Sequence, residues 1–307
     1  MFARFLKGFV LTPVLAGSLV LTAGCTSEPG DVSDAPTIPS DPAEQPYDLF
    51  LGEQLGIVDY AQRKVRNQCL AEAGYRQNLE VMAAKPHNPF GHLIVTARSF
   101  GPTSVEEARR LGFGREFPAD PPAIISTDPA YDAASEACDR KAWHRIGKDA
   151  ARTYREYFAL GNKLEGPLQA AQDIELPADL TTKLIACLAE QGYRLDDPGQ
   201  FLKRPLPELF GVELGDFSQE GAQWQPNKRP GTVEVGPTRG PLRYDPKPEE
   251  SKLAVAWFTC RQRTDLTRYQ LDAAHKVEDE VVKQNETSFV ELNPKLEALA
   301  RTAAELI

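Results

Sequence analysis

Basic side chains are in short supply: 35 Lys and Arg stand against 44 Asp and Glu, a net charge of −9. Neutralising a phosphate backbone needs clustered cations, so this balance argues against a nucleic-acid partner. Histidine is scarcer still, with 4 in 307 residues, none spaced as H-x-x-x-H or H-E-x-x-H. That excludes the common helical zinc patterns and leaves only His87 and His92, on either side of N-P-F-G, close enough to be weighed as a metal pair. They read as loop histidines, while His144 and His275 fall on helical stretches as solvent-facing or packing residues. No alternation of strand-like and helix-like segments runs through the chain, so the parallel sheet typical of solute receptors and of many hydrolases is not expected. The apolar run from Phe9 to Ala23 is too short, and too soon followed by polar chain, to span a membrane.

With 41% apolar residues the chain can nevertheless bury a substantial core. Its first 24 residues carry only Arg4 and Lys7 as charges, then the apolar run, then small residues, the layout of a secretory signal peptide. The stretch L-T-A-G-C resembles the lipobox of bacterial lipoproteins, with Ala23 and Gly24 at the small positions before the cysteine. Thr22 departs from the commonest pattern, which has Leu there. The resemblance implies that Cys25 is diacylated and becomes the first mature residue, a two-chain anchor on the extracytoplasmic face of the cell membrane. Beyond the leader, the chain is similar to secreted bacterial lipoproteins to which no activity is assigned. Residues 26–46 hold five prolines and five acids with almost no apolar side chains. They read with Cys25 as a disordered tether over 25–46, reaching on the order of 25 Å as a coil.

Four cysteines remain. C-L-A-E-A-G-Y-R runs from Cys69 to Arg76 and C-L-A-E-Q-G-Y-R from Cys187 to Arg194. Ahead of Cys69, Leu51, Leu55, Val58 and Val65 form one face of a helix broken only by Gln62. The octet predicts how that helix stops, with Gly74 in a left-handed cap and Tyr75 packing on Leu70. Gly192, Tyr193 and Leu188 repeat the relation after a helix marked by Leu180, Leu184 and Ile185. Cys138 and Cys260 follow 69 and 73 positions later in their own helical stretches, so the chain reads as a duplicated unit. In an oxidising compartment the favoured bridges are Cys69 with Cys138 and Cys187 with Cys260, each half closing on itself; bridges between equivalent cysteines rank second.

The spacing predicts a long helix after Cys138 through Trp143, Ile146, Ala150, Tyr154, Tyr157, Leu164 and Leu168, kinked or broken near Pro167. A second runs after Cys260 through Leu266, Tyr269, Ala273, Val277 and Val281, and Asn293-Pro294 starts a last helix. Segments 76–128 and 194–248 are rich in Pro and Gly. Within them H-L-I-V-T-A and A-I-I-S-T suggest strands, and T-S-V-E-E-A-R-R-L-G a short capped helix.

Candidate chemistry is thin. Ala97 to Gly101, A-R-S-F-G, imitates a nucleophile elbow around Ser99, but Pro102 blocks the helix that must follow. Asp216 to Gly221, D-F-S-Q-E-G, has the oxygens of a calcium loop, yet Asn227 stands where the bidentate Glu belongs, after Pro226. Adjacent acids, Glu106 with Glu107, Asp196 with Asp197 and Glu249 with Glu250, read as solvating. Phe201, Phe210, Phe217, Trp224 and Tyr244 gather in the second irregular segment as a small core or, exposed, a platform for sugar or peptide. The expectation is a mainly α protein: a signal peptide at 1–24, the tether, and two tandem disulfide-closed helical repeats at 47–172 and 173–307 with Pro/Gly-rich inserts and a few short strands. It would act without catalysis or cofactor, as an envelope module binding a protein or envelope polymer. Receptor for an importer's solute is the alternative, and cell-wall hydrolase a weaker one.

Overall fold

A computed structural model describes residues 45–119, 122–172, 176–203, 206–219, 225, 229–236 and 240–307. The leader, Cys25 and most of the tether therefore lie outside the described residues, as do Gly221, Trp224, Pro226 and Asn227. The chain is mainly helical. In order come α1 (Gly52–Glu72), α2 (Val105–Leu111), β1 (Ala123–Ser126), α3 (Pro129–Ile146), α4 (Ala150–Gln172), α5 (Ala178–Glu190), α6 (Pro198–Lys203), β2 (Asp216–Gln219), β3 (Val233–Gly236), β4 (Leu242–Asp245), α7 (Pro248–Arg263), α8 (Leu266–Gln284) and α9 (Glu286–Ala304). Helices α1, α3, α4, α8 and α9 enclose the main core, in which Leu55, Val58, Tyr157, Leu164 and Leu296 are fully or almost fully buried.

Both octets end their helices alike. Tyr75 N–H donates to the Leu70 carbonyl and Tyr193 N–H to that of Leu188, each at 2.9 Å. Gly74 and Gly192 take φ of 104° and 92°, a region that a side chain strains to enter. The bridges join Cys69 to Cys138 and Cys187 to Cys260, tying the last turn of α1 to α3 and of α5 to α7 with Cα atoms 5.6 Å apart in each. Gln62, the break in the apolar face of α1, is buried and donates to Asp139 of α3 at 2.6 Å.

The inserts do not stay with their own helices. Strand β1 of the first pairs antiparallel with β3 of the second, Ile124 opposite Val235, and Ile124 and Val233 both pack near the Cys69–Cys138 bridge. Helix α2 lies on α7, and Phe113 beyond it meets Trp257 edge-on at 5.5 Å, in the cluster around Cys187–Cys260. Each bridge is thus covered partly by the other half's insert.

Several details differ from the sequence expectation. The helix after Cys138 breaks at Gly147 and restarts at Ala150, and α4 then continues through Pro167 to Gln172. Pro167 brings no N–H, and in that turn the Leu164 carbonyl accepts the Tyr47 hydroxyl at 3.0 Å. Helix α9 starts at Glu286, with Pro294 inside it; the missing bond falls on the carbonyl of Val290, whose side chain is 72% exposed, on the solvent side. The run H-L-I-V-T-A forms no strand but two 3-10 turns, Gly91–Leu93 and Ala97–Phe100, burying Leu93 and Val95. The A-I-I-S strand and the α2 helix are as expected, with Ser104 capping α2 by accepting from Glu107 N–H at 3.0 Å.

One buried carboxylate joins the two inserts. Glu250 is fully buried and accepts from the backbone N–H groups of Phe113 (2.9 Å), Gly215 (2.6 Å) and Lys247 (3.3 Å) and from the Tyr244 hydroxyl (2.9 Å). Burial first, then this hydrogen bond and the carboxylate's charge, push the Tyr244 phenol up to about 12. Glu249 beside it is solvent-facing and pairs with Lys252, so the two adjacent acids have separate roles.

Two expectations follow. Replacing Cys187 and Cys260 by Ser should remove about 4 kcal/mol of unfolding free energy in urea, as loop closure over such a separation implies; a loss under 1 kcal/mol would contradict this. Glu250→Gln should cost roughly 2–4 kcal/mol in the same assay, because an amide presents donors to donors.

Candidate functional site

A small opening with polar walls lies along the outer side of α1. Its period puts Asp59, Arg63 and Arg66 beside Tyr60 and Asn67 on a face turned from the main core, opposite Val81, Met82 and His87 of the segment after the octet. Pro122, before β1, closes one end of a cleft of about 170 Å³.

The floor is fixed by hydrogen bonds. Asn67, 4% exposed, donates through Nδ2 to the Asn78 carbonyl at 2.9 Å. Asn78 in turn accepts the Tyr131 hydroxyl at Oδ1 and donates to the Tyr75 carbonyl, both at 2.9 Å. The Tyr75 and Tyr131 rings meet edge-on at 4.9 Å over the Cys69–Cys138 cluster, so the bridge stiffens the cleft from behind. At the other end Asp59 pairs with Arg63 at 2.6 Å and accepts the Tyr154 hydroxyl at 3.2 Å. Burial, and then the Asp59 charge, raise that phenol far above its usual range. Two buried atoms of the lining residues, Asn67 Oδ1 and Arg66 Nε, have no hydrogen-bond partner among the described residues and expose almost no surface. A buried amide oxygen left so costs about 1–3 kcal/mol unless water or a ligand meets it.

The residues singled out in the sequence do not converge on one centre. His87 lines the cleft, whereas His92 turns to Glu165 of α4 at 3.5 Å and stacks near Phe90, so they are no metal pair. No group of three or more metal-binding side chains occurs among the described residues. Ser99 sits in a 3-10 turn and accepts from Thr96 N–H at 3.1 Å, with no strand before it. Asp216 and Ser218 belong to strand β2, paired with β4, rather than to a calcium loop. Glu107 receives the Thr103 N–H and hydroxyl; burial alone would raise its carboxyl, but those bonds and Arg98 and Arg110 outweigh it and hold it below the usual range. Of the aromatic set, Phe201 and Phe210 pack around Trp257 in the second core, while Phe217, 50% exposed, leans on Tyr244 and Phe117. His144 is exposed, and His275 is half-buried.

Sequence reasoning passed over the α1 arginines, which read as an ordinary solvated face. It also passed over Glu278. Ala274, Glu278 and Val281 share the buried stripe of α8, so the helical period carries a carboxylate into the main core. Both its oxygens lack hydrogen-bond partners among the described residues, and burial, then the Asp279 and Asp48 charges, push it up to about 8. Arg261 is likewise buried, but it donates to the Phe100 carbonyl and to Gln270 at 3.1 Å; burial lowers its guanidinium to about 10.

Glu278 sets a pH dependence. In the unfolded chain its carboxyl loses its proton near 4.5, in the folded protein only near 8. As pH rises between those values the unfolded state binds fewer protons than the folded one, so stability is full below the lower value and falls until the upper is passed. Glu278→Gln should therefore melt several degrees higher than the parent at about pH 8.5 and close to it at about pH 4.5. Parallel melting curves across that range would contradict the burial of this charge.

No family model, no characterised protein and no solved structure matches this chain.

Proposed function

We propose that this chain is a lipid-anchored module on the extracytoplasmic face of the cell membrane, which acts by binding and not by catalysis. What supports the reading most is the sulfur chemistry. Two bridges close among four cysteines, and such bonds persist where thiols are kept oxidised. The fifth cysteine, Cys25, then stands alone behind an apolar leader, where an acyl chain is the economical explanation for it. The same reading takes the two stapled halves as copies of one unit, on the matching octets, matching cap bonds and similar bridge separations.

The partner in this reading is a protein or an envelope polymer. One observation favours the solute-receptor alternative: the α1 cleft, of about 170 Å³, has small-molecule size and polar walls.

Metabolic labelling with a clickable fatty acid, followed by detergent phase separation, tests the anchor. The parent chain should incorporate label and enter the detergent phase, and Cys25→Ser should do neither and be recovered in the soluble extracytoplasmic fraction. An unlabelled parent, or label retained by Cys25→Ser, would refute it. Turnover of cell-wall fragments that is lost in Ser99→Ala would replace binding by hydrolysis.

A further inference from the structure

We infer that the outer edge of β2 takes an extended segment of a partner protein as an added antiparallel strand, one in which an aromatic residue is followed directly by a lysine or arginine. The inference rests on the reading of the chain as a binding module and names the kind of partner for one face of it. Strand β4 fixes which way the backbone groups of β2 point. Leu242 of β4 exchanges both its backbone hydrogen bonds with Phe117, at 2.9 and 3.0 Å, so its N–H and C=O are turned away from Gln219, the residue opposite it on β2. The alternation of an antiparallel ladder then directs the backbone groups of Asp216 and Ser218 to β4 and turns the N–H and C=O of Phe217 and Gln219 outward. No strand among the described residues pairs with that side, and all four residues of β2 are exposed. Two donors and two acceptors at the spacing of a strand are matched by another extended backbone.

The side chains state what the added strand carries. Asp216 lies directly opposite Asp245, a pair of exposed like charges whose repulsion destabilises the hairpin. Neither carboxylate forms an ion pair among the described residues. A cation on the residue facing Asp216 relieves that repulsion, and the net charge of −9 favours its approach. On the opposite face of the sheet Phe217, 50% exposed, has its ring centroid 5.0 Å from that of Tyr244 and 5.8 Å from that of Phe117. Its open side suits an aromatic ring on the residue that pairs with it. In an antiparallel addition the residue facing Phe217 precedes the one facing Asp216, which sets the order, aromatic and then basic. The edge is also held in place beforehand: buried Glu250 accepts from Gly215 N–H, just before β2, at 2.6 Å and from the Tyr244 hydroxyl of β4 at 2.9 Å. A second copy of this chain would bring its own Asp216 and Asp245 to the same edge, and like charge disfavours it.

The test is calorimetric titration of the oxidised full chain in mild detergent with an acetylated and amidated peptide that reads threonine, valine, threonine, phenylalanine, lysine, threonine. It should bind saturably with a Kd no weaker than about 1 mM. The same peptide with glutamate in place of lysine, or with a methyl group on the phenylalanine amide nitrogen, should bind at least tenfold more weakly. Asp216→Lys should exchange the preference and take the glutamate peptide better than the lysine peptide, a result that a misfolded variant cannot give. Gln219→Pro, which removes an outward N–H and spares the bonds to β4, should weaken the lysine peptide at least tenfold while melting close to the parent. A Kd weaker than that limit, a methylated peptide that binds as well as the unmethylated one, or an unchanged preference in Asp216→Lys would overturn the inference. So would binding of N-acetylglucosamine oligomers that is lost in Phe217→Ala, which would make the aromatics a sugar platform, or a dimer of this chain that Gln219→Pro abolishes. Acylation at Cys25 is read out separately, so the anchored-module reading survives a failure here.

Discussion

The bond between Cys69 and Cys138 is the constraint on which the first half of the molecule turns. It fastens the end of α1 to α3 at the point where α1 would otherwise fray, and everything after the octet must leave from that fixed point. Tyr75 and Tyr131 close over it, Asn78 ties the two together, and Asn67 is aligned by Asn78. The position of a polar amide in the cleft is thereby referred, through three hydrogen bonds, to a covalent link. The second bridge has another setting. Around Cys187 and Cys260 the neighbours are Trp257, Phe201 and Phe210, so it stiffens an aromatic core. Two links of similar span in sequence and equal Cα separation therefore serve unlike surroundings.

How much of this was legible in the sequence depends on how far apart the cooperating residues stand. The cap at Gly74, the α2 start at Ser104 and the alternation-free strand at Ala123 were readable because each is decided within a few residues. The pairing of cysteines was readable because the octet marks where a helix ends and the repeat distance marks its mate. The pairing of β1 with β3 joins segments more than a hundred positions apart, and neither strand carries a mark of its partner. Helix periods were read correctly but interrupted in the wrong places. The stripe from Trp143 to Leu164 survives the break at Gly147, because Ile146 and Ala150 are both buried on either side of it.

Acidic residues were the least legible class. Glu249 and Glu250 are identical letters one step apart, and a hundred degrees of helical rotation puts one in water and the other beneath four hydrogen-bond donors. Glu278 shows another case: the stripe read on α8 through Ala273 and Val277 lies one step beside the buried Ala274 and Glu278, so the carboxylate was missed. For the cleft, the only local sign was the pair Arg63 and Arg66, three positions apart, which a charged helix face produces routinely. What gives those arginines meaning is the segment folded over them after the octet, and that is a tertiary fact.

The short 3-10 turn at Pro46–Leu49, where the chain enters the fold, is fastened at three places: Tyr47 to the Leu164 carbonyl, the Leu49 carbonyl to Asn293, and Leu51 N–H to the Tyr157 hydroxyl. Those fastenings reach α4 and α9, which belong to different halves. A pull along the preceding chain would consequently be borne by α4 and α9 together.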